Sequence, residues 1–292
     1  MITRKNSKGR SVRFWIVLSG LCVCVLAASC ANPLKGKPPY WYNGYVYGTR
    51  AHELFSEGRI TTALSFYKKG LVQAQTHDIP QQAALYQFNI GRCFLELDKN
   101  DSAVHYFTDA YAQFSLCGSE NEARQSAGFA AIAWCSTGNN DSAFSWYTKG
   151  AIMPSKTDEK NFWLMVHGRL AWGRDHTKEA LAYLDAAYDL YKKNKEWYGA
   201  MQMCYLRGRV YAYFGDYAEA VRMITEALSL GDKTPLRFDR WRILIATASL
   251  YSCTNDPIKA QWFFGRAMLC LPDGIAPLSK EQVMSCQKEL FR

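Results

Sequence analysis

The sequence predicts an all-α solenoid of about six helix-turn-helix units followed by a short C-terminal capping helix. Three observations carry that prediction. The phrase Asn-Asp-Ser-Ala occurs at Asn100 and again at Asn140, and aligning the chain on its alanine gives Ala63, Ala103, Ala143, Ala180, Ala220 and Ala260, spaced 40, 40, 37, 40 and 40 residues apart. Twelve residues before each alanine stands Ala51, Gly91, Ala131, Gly168, Gly208 or Ala248, and seven after stands Gly70, Ala110, Gly150, Ala187, Ala227 or Ala267. Large side chains recur between these small ones: Leu54, Phe94, Trp134, Ala171, Tyr211 and Tyr251 nine before, with one exception to size at Ala171, and Tyr67, Phe107, Tyr147, Leu184, Ile224 and Phe264 four after.

Offsets of three, four and seven place residues on one face of a helix, and a fixed period of this length is the mark of stacked repeats. Small residues let two antiparallel helices approach closely, while the large ones fill the space toward the next pair. Gly58, Gly138, Gly173, Gly215 and Asn255 are turn formers between the helices. In both copies of the phrase, Asn-Asp-Ser precedes the second helix of a unit, where a short polar side chain can accept a bond from a free backbone N–H; capping is therefore its expected role.

The elements follow in order. Residues 1–29 read as an export signal: Arg4, Lys5, Lys8, Arg10 and Arg13 precede an apolar run from Phe14 to Ala28, and no acid falls before residue 30. The apolar run is too short to span a bilayer comfortably. Leu26-Ala27-Ala28-Ser29-Cys30 resembles the lipobox of bacterial lipoproteins, with Ala27 where leucine is usual. The resemblance implies cleavage before Cys30, lipidation of its thiol, and anchoring by two or more acyl chains. An ordinary secretory signal cut near Ala28 is the rival reading. Ala31 after the lipidated cysteine favours the outer membrane, facing the periplasm. Residues 30–43, with Pro33, Pro38 and Pro39, form a tether that spans at most about 45 Å. Tyr40, Trp41, Tyr42, Tyr45 and Tyr47 would cap the first repeat, the alternative being that they meet the lipid interface. The six repeats cover residues 44–272, and residues 273–292 form the cap, where Ser279-Lys280-Glu281-Gln282 has capping-box form before Val283, Met284 and Leu290.

Composition excludes several functions. The formal charge of +9 falls to +4 once the five basic residues of the leader are removed, and no Lys/Arg block with interleaved aromatics remains to track a phosphate backbone, so nucleic acid is not an expected partner. No catalytic motif of the zinc-peptidase, serine-hydrolase, P-loop or dinucleotide type is present, and His52, His77, His105, His167 and His176 lack metal spacing. No catalytic residue, metal or cofactor is therefore expected. Of the cysteines beyond Cys30, Cys93, Cys135, Cys204 and Cys253 fall in helical patterns as small buried hydrophobes, while Cys270 with Cys286 is a possible disulfide near the C-terminus.

The pattern of small and large positions is similar to the tetratricopeptide repeat (TPR) family over residues 44–272, with Pro272 at a place where that family often has proline. The resemblance implies a right-handed superhelix whose first helices line a concave groove. The 40-residue period departs from the usual 34 and resembles the subgroup with lengthened helices, which includes peptide-sensing and cargo-binding members. The position after the first small residue would face that groove; it is His52, Arg92, Ile132, Arg169, Arg209 or Ser249. Neighbouring groove candidates are Phe88, Phe162, Met165, Trp172, Tyr205, Tyr213 and Arg242. Such a lining suits an acidic or carboxylate-bearing peptide or protein, bound bidentately by arginine. The alternative is that the arginines pair with acids on adjacent helices and the aromatics simply pack. The lysine/asparagine clamp of chaperone-binding members is not reproduced. The leading expectation is a noncatalytic, membrane-tethered scaffold for a protein or peptide of the cell envelope. A solute-handling protein that works with a transporter is the second, favoured by a closed cavity over an open groove; a peptide sensor is the third.

Overall fold

The computed structural model describes residues 39–151, 157–234, 240–275, 279–285 and 291. Residues 1–38, with the expected signal and Cys30, lie outside the described residues. Gly44–Arg292 forms one compact unit. Its helices pair as six units: α1 (Pro39–Ser56) with α2 (Ile60–Thr76), α3 (Pro80–Glu96) with α4 (Asn100–Leu116), and α5 (Glu120–Ser136) with α6 (Asn140–Gly150). There follow α7 (Thr157–Gly173) with α8 (Thr177–Lys193), α9 (Trp197–Tyr213) with α10 (Tyr217–Gly231), and α11 (Arg240–Cys253) with α12 (Pro257–Leu269); α13 (Lys280–Met284) is the cap.

The 40-residue period has a simple origin. Two 17-residue helices alternate with two three-residue connectors, and the middle residue of each such connector has positive φ: Gly58, Asp78, Asp98, Gly118, Gly138, Asp175, Lys195, Gly215 and Asn255. One left-handed residue lets the chain reverse while its backbone closes the preceding helix, as where Lys99 N–H bonds Phe94 O at 2.9 Å and Asp98 N–H bonds Leu95 O at 3.2 Å. Gly173, expected as a turn former, is instead the last residue of α7, and Asp175 takes the left-handed place. The 37-residue spacing arises because α6 has only 11 residues and the connector after it is longer. Pro154 lies four residues past Gly150, so a longer α6 would drive the proline ring against the Gly150 carbonyl.

All eighteen aligned small positions are buried. Their partners are the large positions of the same unit: a Cβ on Gly91 would lie 2.8 Å from the Phe107 ring, one on Gly168 2.9 Å from Leu184, and one on Gly208 2.4 Å from Ile224. Gly70 and Gly150 receive the next unit, Tyr86 and Trp163 respectively. Tyr47 packs on Phe66 of α2, as expected of a first-repeat cap, whereas Tyr45 is exposed.

The capping role expected of Asn-Asp-Ser is corrected: the phrase forms the first turn of α4 and of α6, and the N-cap is the residue before it. Asn139, one residue ahead of the second copy, is the N-cap of α6 and accepts from Ser142 N–H at 3.0 Å, but Lys99 caps α4 without a side-chain bond. Asn140 reaches the neighbouring unit, its Nδ2 donating to Gly173 O at 2.6 Å. That approach explains Gly173, where a Cβ would lie 2.7 Å from Asn140 Oδ1. At the C-terminal end, Ser279 and Gln282 form the full capping box of α13 and Val283 is fully buried. Leu290 lies outside the described residues. The cysteine expectation is corrected: Cys270 is free and exposed, whereas Cys253, expected as a free buried thiol, is disulfide-bonded. Cys270 follows the last turn of α12, on its solvent side, which accounts for its exposure.

On the outer side, His167 of α7 stacks on Tyr183 at 3.9 Å between ring centroids, lies 3.1 Å from the Tyr147 hydroxyl, and has Glu179 at 3.7 Å. Burial pushes its pKa down and Arg174 adds to that, against an upward pull from Glu179. A histidine held neutral in the fold but free to protonate when unfolded contributes stability that is present above its unfolded pKa and lost as pH falls toward the folded value. Stability is therefore expected to decline from pH 7 to pH 5, and His167→Gln should flatten that slope in denaturant titrations. The depressed carboxylates Glu219, Asp256, Asp273 and Glu281 act at lower pH, and the difference between wild type and His167→Gln assigns the slope to this imidazole.

Candidate functional site

The superhelix turns far enough for its ends to meet. After α12, Asp273 accepts from Thr61 N–H at 3.0 Å, from Thr61 Oγ1 at 2.6 Å and from Thr62 Oγ1 at 3.2 Å, at the start of α2. Burial pushes the Asp273 carboxyl up, but the bonds from Thr61 and Thr62 outweigh it and hold the pKa below the ordinary value. Gly274 permits the approach: its φ is +83°, and a Cβ there would lie 2.3 Å from Thr61 Cγ2. Ile275 then packs on the core of the first unit. A second crossing links α11 to the end of α3, where Arg242 pairs with the Glu96 carboxylate, donates to Glu96 O at 2.8 Å, and reaches Asp98 Oδ1 at 3.2 Å.

Inside this closure the first helices of units two to six surround a cavity of about 610 Å³. The structure places the expected groove position on the cavity wall in the middle of the array. Arg92, Ile132, Arg169 and Arg209 line the cavity, whereas His52 is exposed on the first unit and Ser249 is buried in the last. Met165, Trp172, Tyr205 and Arg242 also line it. Phe162 does not. It packs between units, against Gly128 and at 5.4 Å from the Phe129 ring, and Phe88 is likewise held edge-on by Phe107 and Phe129. Tyr213 lies at the end of α9, edge-on to Phe214 at 5.1 Å and outside the lining.

The arginines are not equivalent. Arg242 follows the alternative reading, paired with acids in the crossing just described. Arg209 donates from Nε to the Phe291 carbonyl at 3.0 Å and lies over the rings of Trp172 and Tyr205. Arg92 lies over Phe55 and bonds Asn89 Oδ1 at 3.4 Å, with no carboxylate partner among the described residues. Arg169 has neither a hydrogen bond nor an ion pair among the described residues; the groups that act on it are Arg209, Cys135, Tyr205 and Arg242. Burial depresses its pKa, and the positive charges of Arg209 and Arg242 depress it further. Trp172, 7% exposed, holds an indole Nε1–H that also lacks a hydrogen-bond partner among the described residues. Burial raises the Cys135 thiol to about 11, so it stays protonated near neutrality.

Sequence reasoning missed Glu96, Asp98, Phe129, Cys135, Tyr198 and Gln202 in the lining, and with them Asn100 and Asn140 of the repeated phrase. Applying the helical offsets three before and four after the small residue of each first helix would have found Leu95 and Cys135, one turn beyond Arg92 and Ile132. Among the described residues no cluster of three or more His, Cys, Asp or Glu could hold a metal ion, and no helix is long and apolar enough to cross a membrane.

Fold and cavity together define an α-solenoid that encloses a binding-sized space on its concave side. The tetratricopeptide repeat model matches residues 202–230, which span most of α9 and α10. The chain is a repeat protein of the TPR type. Its structure is similar to that of a Rap protein complexed with Competence and Sporulation Factor (TM-score 0.60, 14% identity, 86% of this chain and 78% of that one). It is also similar to the Rap conjugation gene regulator of plasmid pLS20 in complex with the Phr* peptide (TM-score 0.55, 18% identity, 88% and 79%). The apo quorum sensor NprR from B. thuringiensis aligns with TM-score 0.52 at 12% identity, over 88% and 84%. No curated protein sequence matches the chain.

Proposed function

We propose that the chain is a noncatalytic, lipid-anchored recognition protein of the bacterial cell envelope that takes a peptide or other carboxylate-bearing partner into its central cavity. The observation that carries this reading is Arg169, a guanidinium on a cavity wall without an acid partner among the described residues, with Arg92 and Arg209 on the same lining. An uncompensated cation in a partly desolvated site is costly, and a ligand anion removes that cost. The structurally similar Rap proteins are described in complex with a factor and a peptide, which supports a peptide as partner. The lining, which includes no histidine and holds Cys135 as a thiol, offers no activated nucleophile.

Closure of the superhelix favours a second reading, a solute-handling protein, because a ring whose ends are bonded admits a small ligand more readily than a folded partner. The Cys253 disulfide supports an oxidising compartment and so an exported chain. Anchoring is tested by Cys30→Ser, which should abolish lipid labelling and release the protein from the membrane fraction; undiminished labelling would remove lipidation at Cys30 from the proposal. In-cell crosslinking of the wild type and of Arg169→Gln then tests the cavity, with loss of the captured species expected in the variant.

A further inference from the structure

We propose that the cavity ligand is a compact amphiphilic monocarboxylate, held wholly inside the ring with its carboxylate on Arg169 and its apolar body against Trp172, Met165 and Ile132. The inference rests on the reading that the cavity is the recognition site, and it adds charge, shape and size.

Charge comes first. Four arginines line the cavity against two carboxylates, Glu96 and Asp98, and both carboxylates are engaged by Arg242. Arg209 spends its Nε on the Phe291 carbonyl. Arg92 lies over the Phe55 ring and bonds Asn89 Oδ1, which leaves Arg169 as the arginine of this wall with neither a hydrogen bond nor an ion pair among the described residues, and like charges from Arg209 and Arg242 act on it. Four guanidiniums against two carboxylates leave an excess of positive charge that favours an anion, and Arg169 is where it can bind; a polyanion would bring further charges against Glu96 and Asp98 at the same wall. A planar carboxylate matches the guanidinium fork. The unpartnered Nε1–H of Trp172, on the same helix three residues from Arg169, is a further buried donor that a ligand oxygen would satisfy.

The remainder of the wall combines polar side chains, among them Asn100, Ser136, Asn140 and Gln202, with an apolar group. Phe129, Ile132, Met165, Trp172 and Leu206 present rings and aliphatic groups, the composition of a site that buries most of a small ligand. A cavity of about 610 Å³ falls inside the range occupied by small-molecule ligands. An extended peptide laid along the groove would have to run past two crossings, Arg242 on Glu96 and Asp98, and Asp273 on Thr61 and Thr62. A compact acid leaves both intact.

The test uses the purified mature chain, titrated by calorimetry and by tryptophan fluorescence. Four probes are compared: N-acetylphenylalanine, its neutral amide, inorganic phosphate, and a twelve-residue peptide ending in phenylalanine with a free carboxylate. The acid is expected to bind at least about tenfold more tightly than the amide, the loss expected for one charge-assisted hydrogen bond, and Arg169→Gln should erase that preference. Arg222→Gln, on the exposed pair with Glu219, should leave it unchanged. Equal binding of acid and amide, a preference that survives Arg169→Gln, or saturation by phosphate alone overturns the inference. Binding of the twelve-residue peptide more than tenfold tighter than the acid also overturns it, by showing an extended site. If no probe binds but Arg169→Gln still loses the crosslinked species in cells, the inference falls and the cavity reading stands; if capture is unchanged as well, both fall.

Discussion

Gly208→Val is expected to destabilise the fold by about 3 kcal/mol, read as a lower denaturant midpoint with an unchanged slope. A single Cβ at this position would lie 2.4 Å from Ile224 Cγ1 and 3.3 Å from the Ala220 carbonyl oxygen. The first is a side chain and can rotate; the second is backbone of the facing helix and cannot yield without moving α10 away from α9. Valine adds two further carbons and the restricted rotamer of a β-branched residue. The site sits at the contact between the two helices of the unit that the tetratricopeptide repeat model matches, so strain there passes to both neighbours. Truncating the opposing side chain supplies the control: Ile224→Ala alone should cost about 2 to 4 kcal/mol by leaving a cavity, and the double variant should be less damaged than the sum. A strictly additive double variant, or a Gly208→Val protein as stable as the wild type, would mean that helix separation at this register is not set by Gly208.

The same contact explains why so much of the fold was legible. Helix approach forces small residues into a register that repeats, and Gly91, Gly168 and Gly208 face Phe107, Leu184 and Ile224 as the alignment requires. Arg92, Ile132, Arg169 and Arg209 were legible as groove candidates through the resemblance to the TPR family, and each lies one residue, about 100° round the helix, from the small residue that packs on the second helix of its unit. Arg242 was named as a groove residue, but its pairing could not be read, since Glu96 lies 146 positions away and nothing local records how far the superhelix turns. The bonds from Thr61 and Thr62 to Asp273 are illegible for the same reason. Phe162 and Tyr213 were misplaced because an aromatic on a first helix can turn into the cavity or into the neighbouring unit, and Gly128 opens the second route for Phe162. Asn100 and Asn140 show the converse: a phrase explained by helix starts also contributes to the cavity wall, through a connector that the period alone does not aim.

Two arginines of one cavity should respond to the same substitution with opposite sign. Arg242→Met is expected to destabilise by about 2 kcal/mol, since its side chain and that of Glu96 are 19% and 17% exposed and removing the cation leaves the carboxylate desolvated without its partner. The loss should be greater than that of a surface pair such as Arg50 with Glu53, worth at most about 1 kcal/mol. Arg169→Met removes a cation that has no acid partner among the described residues and replaces it with an apolar side chain beside Trp172 and Met165. Relief of the repulsion from Arg209 and Arg242, with little lost in exchange, should stabilise the ligand-free protein by about 1 kcal/mol. On the proposed function, a charge that destabilises the empty fold is offset only when an anion arrives, so the variant that is more stable empty should be the one that no longer gains stability from the acid probe. Thermal unfolding of wild type, Arg169→Met and Arg242→Met, each with and without N-acetylphenylalanine, separates the roles. If Arg169→Met destabilises as Arg242→Met does, then Arg169 is a structural residue, and the cavity has no unpaired charge to offer a ligand.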